Sequence, residues 1–328
     1  MKRIAIAAVV LAACGALAAS NAWADDKVSL KPKYVPGSYV QTITTDGSAK
    51  MKMGDRDMET KTTMVMTLSM TVAAPDGDGV KKITMKFKRV QMNISAAGQT
   101  FAVDTDKPAA EGEEGPAAKM GDVFSKLSKA EIIVAIAADE SIKGVTGLDK
   151  LWDEMAKADP AMAAQAAGMK KSLGDVMIKN MMKRSTASYP DKPVGVGDVW
   201  TTELPMPMEM PGLGKTTVKM TNTLKAIEGD GKVAVTSVKG KLETEKAPAA
   251  TAPEGDTAPI QPKITMDMDG TMRLNGENIL LSSSEINIKG VVELGNGMTS
   301  DITTKVTSKS EAVPAGKAAD VPVPSREK

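Results

Sequence analysis

Apolar residues return at every second position over long stretches of this chain, the signature of half-buried β-strands. The clearest run is "KTTMVMTLSMTV". Met64, Met66, Leu68, Met70 and Val72 share one phase, and Thr63, Val65, Thr67, Ser69 and Thr71 share the other. One face of this strand is therefore apolar and the other mainly hydroxyl. Ser38 to Thr45 predicts an earlier strand, opening just after the turn pair Pro36-Gly37. "PDGDG" at Pro75 to Gly79 turns the chain back. Ile83, Met85 and Phe87 then hold one phase while Val90, Met92 and Ile94 hold the opposite one, so a β-bulge is expected at Lys88-Arg89. Ala96 to Gly98 closes another hairpin into Phe101 and Val103. Ala130 to Ala137 and Ile142 to Thr146 predict a strand pair turned at "ADES".

The period then changes. Leu148, Leu151, Trp152 and Met155 fall on one helical face from Gly147 onward. Asp159-Pro160 supplies an N-cap and a first-turn proline. Met162, Ala166, Met169, Leu173, Val176, Met177 and Met181 recur at threes and fours up to about Arg184. Strands return at Asp198 to Leu204, Thr216 to Ile227, Lys232 to Leu242, Lys263 to Leu274, Ile279 to Ile288 and Met298 to Ser308. The predicted fold is mainly β (α+β): a long antiparallel meander or curved half-barrel sheets, with a helical insert at about 147–184. The expected organisation is a signal peptide over 1–24, an N-terminal lead over 25–37 whose stretch Asp25 to Lys33 reads as polar, and a single β-rich domain over 38–310. That domain divides into a first β part (38–105), a linker (106–119), a strand pair plus helices (120–185) and a second β part (186–310). The Pro/Ala-rich 246–262 reads as a low-complexity insert and 311–328 as a disordered tail.

Composition narrows the function. There is no histidine, and 24 methionines stand against nine aromatic residues. Without histidine there is no Ser-His-Asp or Cys-His catalysis and no His-based zinc site. The methionines predict a core filled by pliable thioethers. A sequence pI near 7.6 shows no basic excess of the kind that marks nucleic-acid binders, so no nucleic-acid partner is expected. Met1-Lys2-Arg3, the apolar run Ile4 to Ala19 and "AWA" before Asp25-Asp26 make a secretory signal, with cleavage favoured after Ala24. Leu11-Ala12-Ala13-Cys14 is a competing lipobox in which Cys14 would be lipidated, although the residues after it stay apolar. Either route exports the protein, to the periplasm or extracellular space or onto a membrane anchor. The sole cysteine is spent in the signal, so no disulfide is expected.

"YPDKPVGVGDVW", Tyr189 to Trp200, resembles a recurrent segment of a bacterial family of exported proteins of unknown function. In that family a Pro-Val stretch leads through Gly-Asp to a Trp at a strand start. "YVPGSYVQTIT" and "IIVAIAADESIKGVTGLDKL" look like its other landmarks. The resemblance implies an envelope location and an antiparallel β body, and it implies no catalytic residues. Taken by itself, Trp200 is a large apolar anchor for packing.

Candidate chemistry is sparse. In "PMPMEMPG", Met206, Met208 and Met210 are soft ligands suited to Cu(I). On a strand they would stand in a row about 7 Å apart rather than converge, and methionines alternate elsewhere without ligand logic, as at Met64 and Met66 or Met266 and Met268. No metal or cofactor is therefore expected. Lys170, Lys171, Lys179, Lys183 and Arg184 beside the helical Met stripe suit peripheral contact with an anionic membrane, or the negative end of a helix. Asp76 to Gly79 lacks the later ligands of a calcium loop, Glu113-Glu114 sits in the linker, and Asp267 and Asp269 alternate outward. Phosphate-loop, nucleophile-elbow and dinucleotide fingerprints are absent from the sequence. The expectation is a non-enzymatic envelope protein with a Met/Leu-lined groove for a lipid or other apolar small molecule. The alternative is a structural or interaction module with no small ligand, and the minor alternatives are Cu(I) binding and oxidant scavenging by thioethers.

Overall fold

The structure is a computed structural model that describes residues 27–53, 56–107, 121, 124–126, 128–147, 149, 153, 188–205, 216–230, 232–244, 263–295 and 298–314. Twelve strands among the described residues carry the fold. In the first half they are β1 (Gly37–Met53), β2 (Arg56–Val72), β3 (Lys81–Ala96), β4 (Gln99–Asp104), β5 (Glu131–Ile136) and β6 (Ile142–Thr146). The second half holds β7 (Val199–Pro205), β8 (Thr216–Glu228), β9 (Val233–Thr244), β10 (Lys263–Asn275), β11 (Ser283–Gly295) and β12 (Met298–Val313). All belong to one sheet in the order β6-β5-β3-β2-β1-β12-β11-β10-β9-β8-β7, with β4 pairing β3 beside β5. Every neighbouring pair is antiparallel, so the fold is two meanders welded where the first strand pairs the last. The sheet is open, with β6 and β7 as its edges.

The alternating pattern sets the register. Met64, Met66, Leu68 and Met70 of β2 stand opposite Thr45, Ile43, Gln41 and Tyr39 of β1. The phase slip of β3 is a bulge: Thr67 pairs Arg89, Leu68 pairs Phe87, and Lys88 is the extra residue. Ala97 and Gly98 both take positive φ (49° and 78°) in the two-residue turn to β4, the conformation that matches strand twist. In the "PDGDG" turn the Asp76 carboxylate accepts from the backbone N–H of Asp78 (3.1 Å) and Val80 (2.9 Å).

Several strands exceed their sequence signal. The expected strand 38–45 runs on to Met53, because polar Asp46-Gly47-Ser48 is tolerated where the sheet is wet on both sides. Ile279–Leu281 is a 3-10 turn rather than the start of β11; Asn278 caps it by accepting from the Leu280 N–H, and β11 begins at Ser283. The lead also needs correcting, since Leu30 within the polar stretch and Tyr34 just after it are each only 2% exposed. The helical insert expected at about 147–184 lies outside the described residues except for Gly147, Asp149 and Asp153, the last two being helical.

One core closes one end of the sheet. It joins Ile83, Ile132, Val134 and Val145 from the β6 wing and Leu224, Ala234 and Leu274 from the β7 wing into one cluster with Leu30 and Tyr34 of residues 27–36. Residues 27–36 cross this end as a strap. Val28 bridges Val194, the Lys33 carbonyl accepts from Ile279 N–H (3.0 Å), and Tyr34 N–H donates to Glu140 Oε2 (3.2 Å). Tyr39 Oη donates to the Val35 carbonyl (2.8 Å) and accepts from Asn278 Nδ2 (2.9 Å), tying the strap to the β10–β11 turn. Buried Leu30 and Tyr34 each contribute about 1.5–3 kcal/mol, which offsets the cost of ordering an otherwise irregular segment.

Candidate functional site

Residues at fixed register across the sheet show the chemistry of its core-side, or inner, face. One row runs Leu224, Thr236, Met272, Ser284, Ser308, Ile43 and Met66. The next runs Asn222, Val238, Gly270, Ile286, Val306, Thr45 and Met64. A third runs Thr202, Met220, Gly240, Met268, Ile288, Thr304 and Gly47. None of these residues is charged. Among the described residues, lysine, arginine, aspartate and glutamate keep to the other face through the body of the strands. At the margin Lys81 faces inward and is neutralised by Glu140.

Away from the core end, the inner face is not covered like a core. On β10 the apolar phase (Ile264, Met266, Met268, Met272) is half-buried while the opposite phase is exposed, and only Leu274 at the core end is fully buried. Three glycines on this face stand where neighbouring atoms approach too closely for a side chain. A Cβ on Gly270 would meet the Glu285 carbonyl oxygen at 2.1 Å, and one on Gly290 would meet the Thr265 carbonyl oxygen and Met266 Cγ at 2.7 Å. At Gly240 the same atom would meet Met268 Cε at 2.8 Å. Met266 therefore lies over Gly290 and Met268 over Gly240, in space that a side chain at either glycine would fill.

Uncharged polar groups are set into the apolar rows. Gln41 Nε2 donates to Ser308 Oγ (2.9 Å), and Thr236 Oγ1, fully buried, donates to the Met272 carbonyl (3.3 Å). Asn222 is 0% exposed; its Nδ2 donates to Thr202 Oγ1 at 3.3 Å, while its Oδ1 is buried with no hydrogen-bond partner. An orphaned acceptor of this kind costs about 1–3 kcal/mol. Strand periodicity contained a signal for it that the search for catalytic motifs missed. Asn222 is in phase with Val218, Met220 and Leu224, an amide where an apolar residue is due.

The outer face is different in kind. A shallow trough of about 850 Å³ crosses β9 to β12, lined by Lys239, Asp269, Thr271, Arg273, Glu285, Asn287 and Lys309 among others. Most of its charges have partners: Arg273 pairs with Glu228, Lys305 with Glu285 (2.8 Å) and Lys309 with Glu311 (2.7 Å), and Asn287 Nδ2 donates to Asp269 Oδ2 (3.3 Å).

Of the residues singled out by sequence, many lie outside the described residues and the others stand apart. Met206, Met208 and Met210 fall in the β7–β8 connection, outside the described residues, as do Cys14, Ala24, Glu113, Glu114 and the basic residues from Lys170 to Arg184. Asp267 and Asp269 lie on the outer face. Trp200 packs half-buried against the core and its Nε1 donates to the Ser188 carbonyl (3.0 Å). Beside it the Asp198 carboxylate accepts from Gly195 N–H (3.0 Å), and Gly197, at φ 96°, donates to the Leu224 carbonyl. Tyr189 Oη is shared with Ser282 Oγ (2.8 Å) and donates to the Asn275 carbonyl (3.0 Å); burial pushes its phenol up to about 12, against the Ser282 hydrogen bond. The segment from Tyr189 to Trp200 thus pins the β7 edge to the core end. Among the described residues no group of three or more histidine, cysteine, aspartate or glutamate side chains is gathered as a metal site would need.

A family model matches residues 78–279, a span that contains Tyr189–Trp200. The chain belongs to DUF6263, a family of unknown function. No curated protein matches this DUF6263 chain. Among solved structures, one titled for lipid–protein interactions in lipovitellin shares 9% identity over 86% of this chain, with a TM-score of 0.43, and only 26% of that protein's length is covered. OpdQ of Pseudomonas aeruginosa shares 7% identity over 85% of this chain and 100% of its own, with a TM-score of 0.19. The translocator domain of the autotransporter NalP from Neisseria meningitidis shares 10% identity over 93% and 96%, also at 0.19. At these scores the likenesses carry no argument about function.

Proposed function

We propose that this DUF6263 chain is a non-enzymatic, exported envelope protein that holds an apolar, lipid-like ligand against the inner face of its sheet. One observation carries the reading: an inner face with apolar residues aligned in register, free of charge through the body of the strands, and half-buried beyond the core end. Leaving such surface in water forgoes about 25 cal/mol per Å², so an occupant of matching character is favoured. Each CH₂ that it buries contributes about 0.8 kcal/mol. The thioethers of Met64, Met66, Met266 and Met268 adapt to chains of differing shape at little strain. Export is supported by the charged start, apolar run and small residues before Asp25. The non-enzymatic reading is supported by the lack of histidine in the sequence.

A second reading, a structural or interaction module, is favoured by the outer face, whose paired charges and hydroxyls form a solvated surface suited to polar partners. Native mass spectrometry of the mature protein, purified gently from a bacterial envelope, separates the two. A bound mass of lipid size that is lost on denaturation is the expected result. A clean apoprotein mass would move the assignment to the structural module. Added Cu(I) retained stoichiometrically against a chelator would instead direct attention to Met206, Met208 and Met210.

A further inference from the structure

We infer that the inner face is an oxidation-sensitive surface: its half-buried methionines are modification sites for a two-electron oxidant such as a peroxide, and sulfoxide formation there expels an apolar occupant. The inference rests on the ligand-binding reading above and adds its regulation.

The placement of methionine is one-sided. Among the described side chains, every methionine stands in the inner phase of its strand. Met64 pairs Met92, Met70 pairs Met85, and Met220 and Met268 flank Gly240 from either side. Beyond Cys14 the sequence holds no cysteine, so thioethers are the sulfur that an oxidant meets. Exposure then separates them into two sets. Met58 is 40% exposed, and Met64, Met66, Met266 and Met268 are half-buried, whereas Met70 is 4% exposed and Met92 9%. Leucine at the half-buried positions would pack about as well, but it could not be modified.

The oxidant alone balances the reaction. The sulfur lone pair attacks one peroxide oxygen, and an S–O bond forms as the O–O bond breaks. The departing hydroxide takes the proton of the transferred hydroxyl and leaves as water. Sulfur loses two electrons and the peroxide gains them. The product exchanges a pliable apolar side chain for a polar one with a hydrogen-bond acceptor. Across from Met266 and Met268 the rows run through Gly290, Ile302 and Ala49 and through Ile288, Thr304 and Gly47, with neither lysine nor arginine to meet the new oxygen. Water satisfies it instead, and water then enters where an apolar chain lay.

The test treats the full mature protein with graded hydrogen peroxide and maps oxygen gain by peptide mass spectrometry. Met58, Met64, Met66, Met266 and Met268 are expected to react at least about tenfold faster than Met70 and Met92. Samples stopped between those two phases are titrated with phenylnaphthylamine, an uncharged apolar fluorophore. The oxidised protein is expected to bind it at least about tenfold more weakly than untreated protein. Repair by the two methionine sulfoxide reductases, one for each epimer, should restore binding. The combined variant Met64→Leu, Met66→Leu, Met266→Leu and Met268→Leu should bind the fluorophore alike before and after peroxide, within about twofold; the wild-type repair arm stands if that variant fails to fold. Equal reaction rates for Met70 and Met266 in the folded protein would overturn the assignment of sites. Undiminished binding by the oxidised protein would overturn the regulation. Untreated protein that binds no fluorophore would sink the ligand-binding reading itself and the regulation with it, a result distinct from the other two.

Discussion

At the scale of single residues, the outer face carries a strong electrostatic feature at Arg89. Its guanidinium donates to both oxygens of Asp104 (3.1 and 2.8 Å) and reaches Asp106 at 3.0 Å, while Gln91 donates a further hydrogen bond to Asp104 (3.0 Å). These sit beside the Lys88 bulge, where β3 turns its phase, and clamp β3 to β4. The Arg89 hydrogen bond, opposed by burial and helped by Gln91, holds the Asp104 carboxyl at about 2 against an ordinary 3.8. A folded-state value below the unfolded one means that the stabilisation is present above the unfolded pKa and disappears as pH falls toward the folded one. The pair should contribute about 1–2 kcal/mol near neutral pH, lost between pH 3.8 and about 2. Arg89→Leu is expected to return the Asp104 titration, followed by carboxyl-carbon NMR, to the ordinary carboxylate range or above it. An unchanged midpoint in that variant would show that Arg89 is not the cause.

At the scale of elements, glycines mark the places where neighbouring strands leave no room for a side chain. Gly270 is the sharpest case, because a Cβ there would lie 2.1 Å from the Glu285 carbonyl oxygen and 2.9 Å from Ile286 Cα. Backbone cannot yield as a side-chain end can, so Gly270→Ala should force β10 and β11 apart and cost about 2–4 kcal/mol in urea unfolding; a loss under about 0.5 kcal/mol would mean that the contact is soft. The same elements show what the sequence disclosed. Met64 to Val72 announced a strand because one phase is wholly apolar, and the slip from Phe87 to Val90 announced the bulge because one extra residue reverses every later side chain. The ends of β1 and β2 were missed because polar residues around Asp46 and Asp57 occupy positions where both faces are wet. The strap was missed for another reason. Leu30 and Tyr34 lie in irregular chain, and their burial depends on Gly276, Ile279 and Glu140 far along the sequence. Asn222 was legible only in relation to the phase of Val218 and Leu224, which a search for catalytic motifs does not examine.

At the scale of the whole molecule, the sheet is a two-sided object whose faces obey different rules, and adjacent residues can test that division. On β12, Ile302 is half-buried on the inner face between Gly290 and Ala49, while Thr303 is exposed on the outer face between Lys289 and Ser48. Glutamate at position 303 gains the lysine opposite, and such cross-strand pairs contribute roughly 0.2–1 kcal/mol. Glutamate at position 302 brings charge to an apolar stretch with no cation opposite it, at a cost of about 1–3 kcal/mol. Thr303→Glu should therefore leave the urea midpoint within about 0.5 kcal/mol of the wild type and keep any lipid-sized mass seen in native spectra. Ile302→Glu should lower stability by the larger amount and lose that mass, and its stability should partly recover below the glutamate pKa, where the side chain is neutral. Because both variants add the same group to the same strand one residue apart, net charge and strand propensity are held nearly constant. Equal effects at the two positions would mean that the faces are alike and that a charge-free inner face is not what this sheet was built to provide.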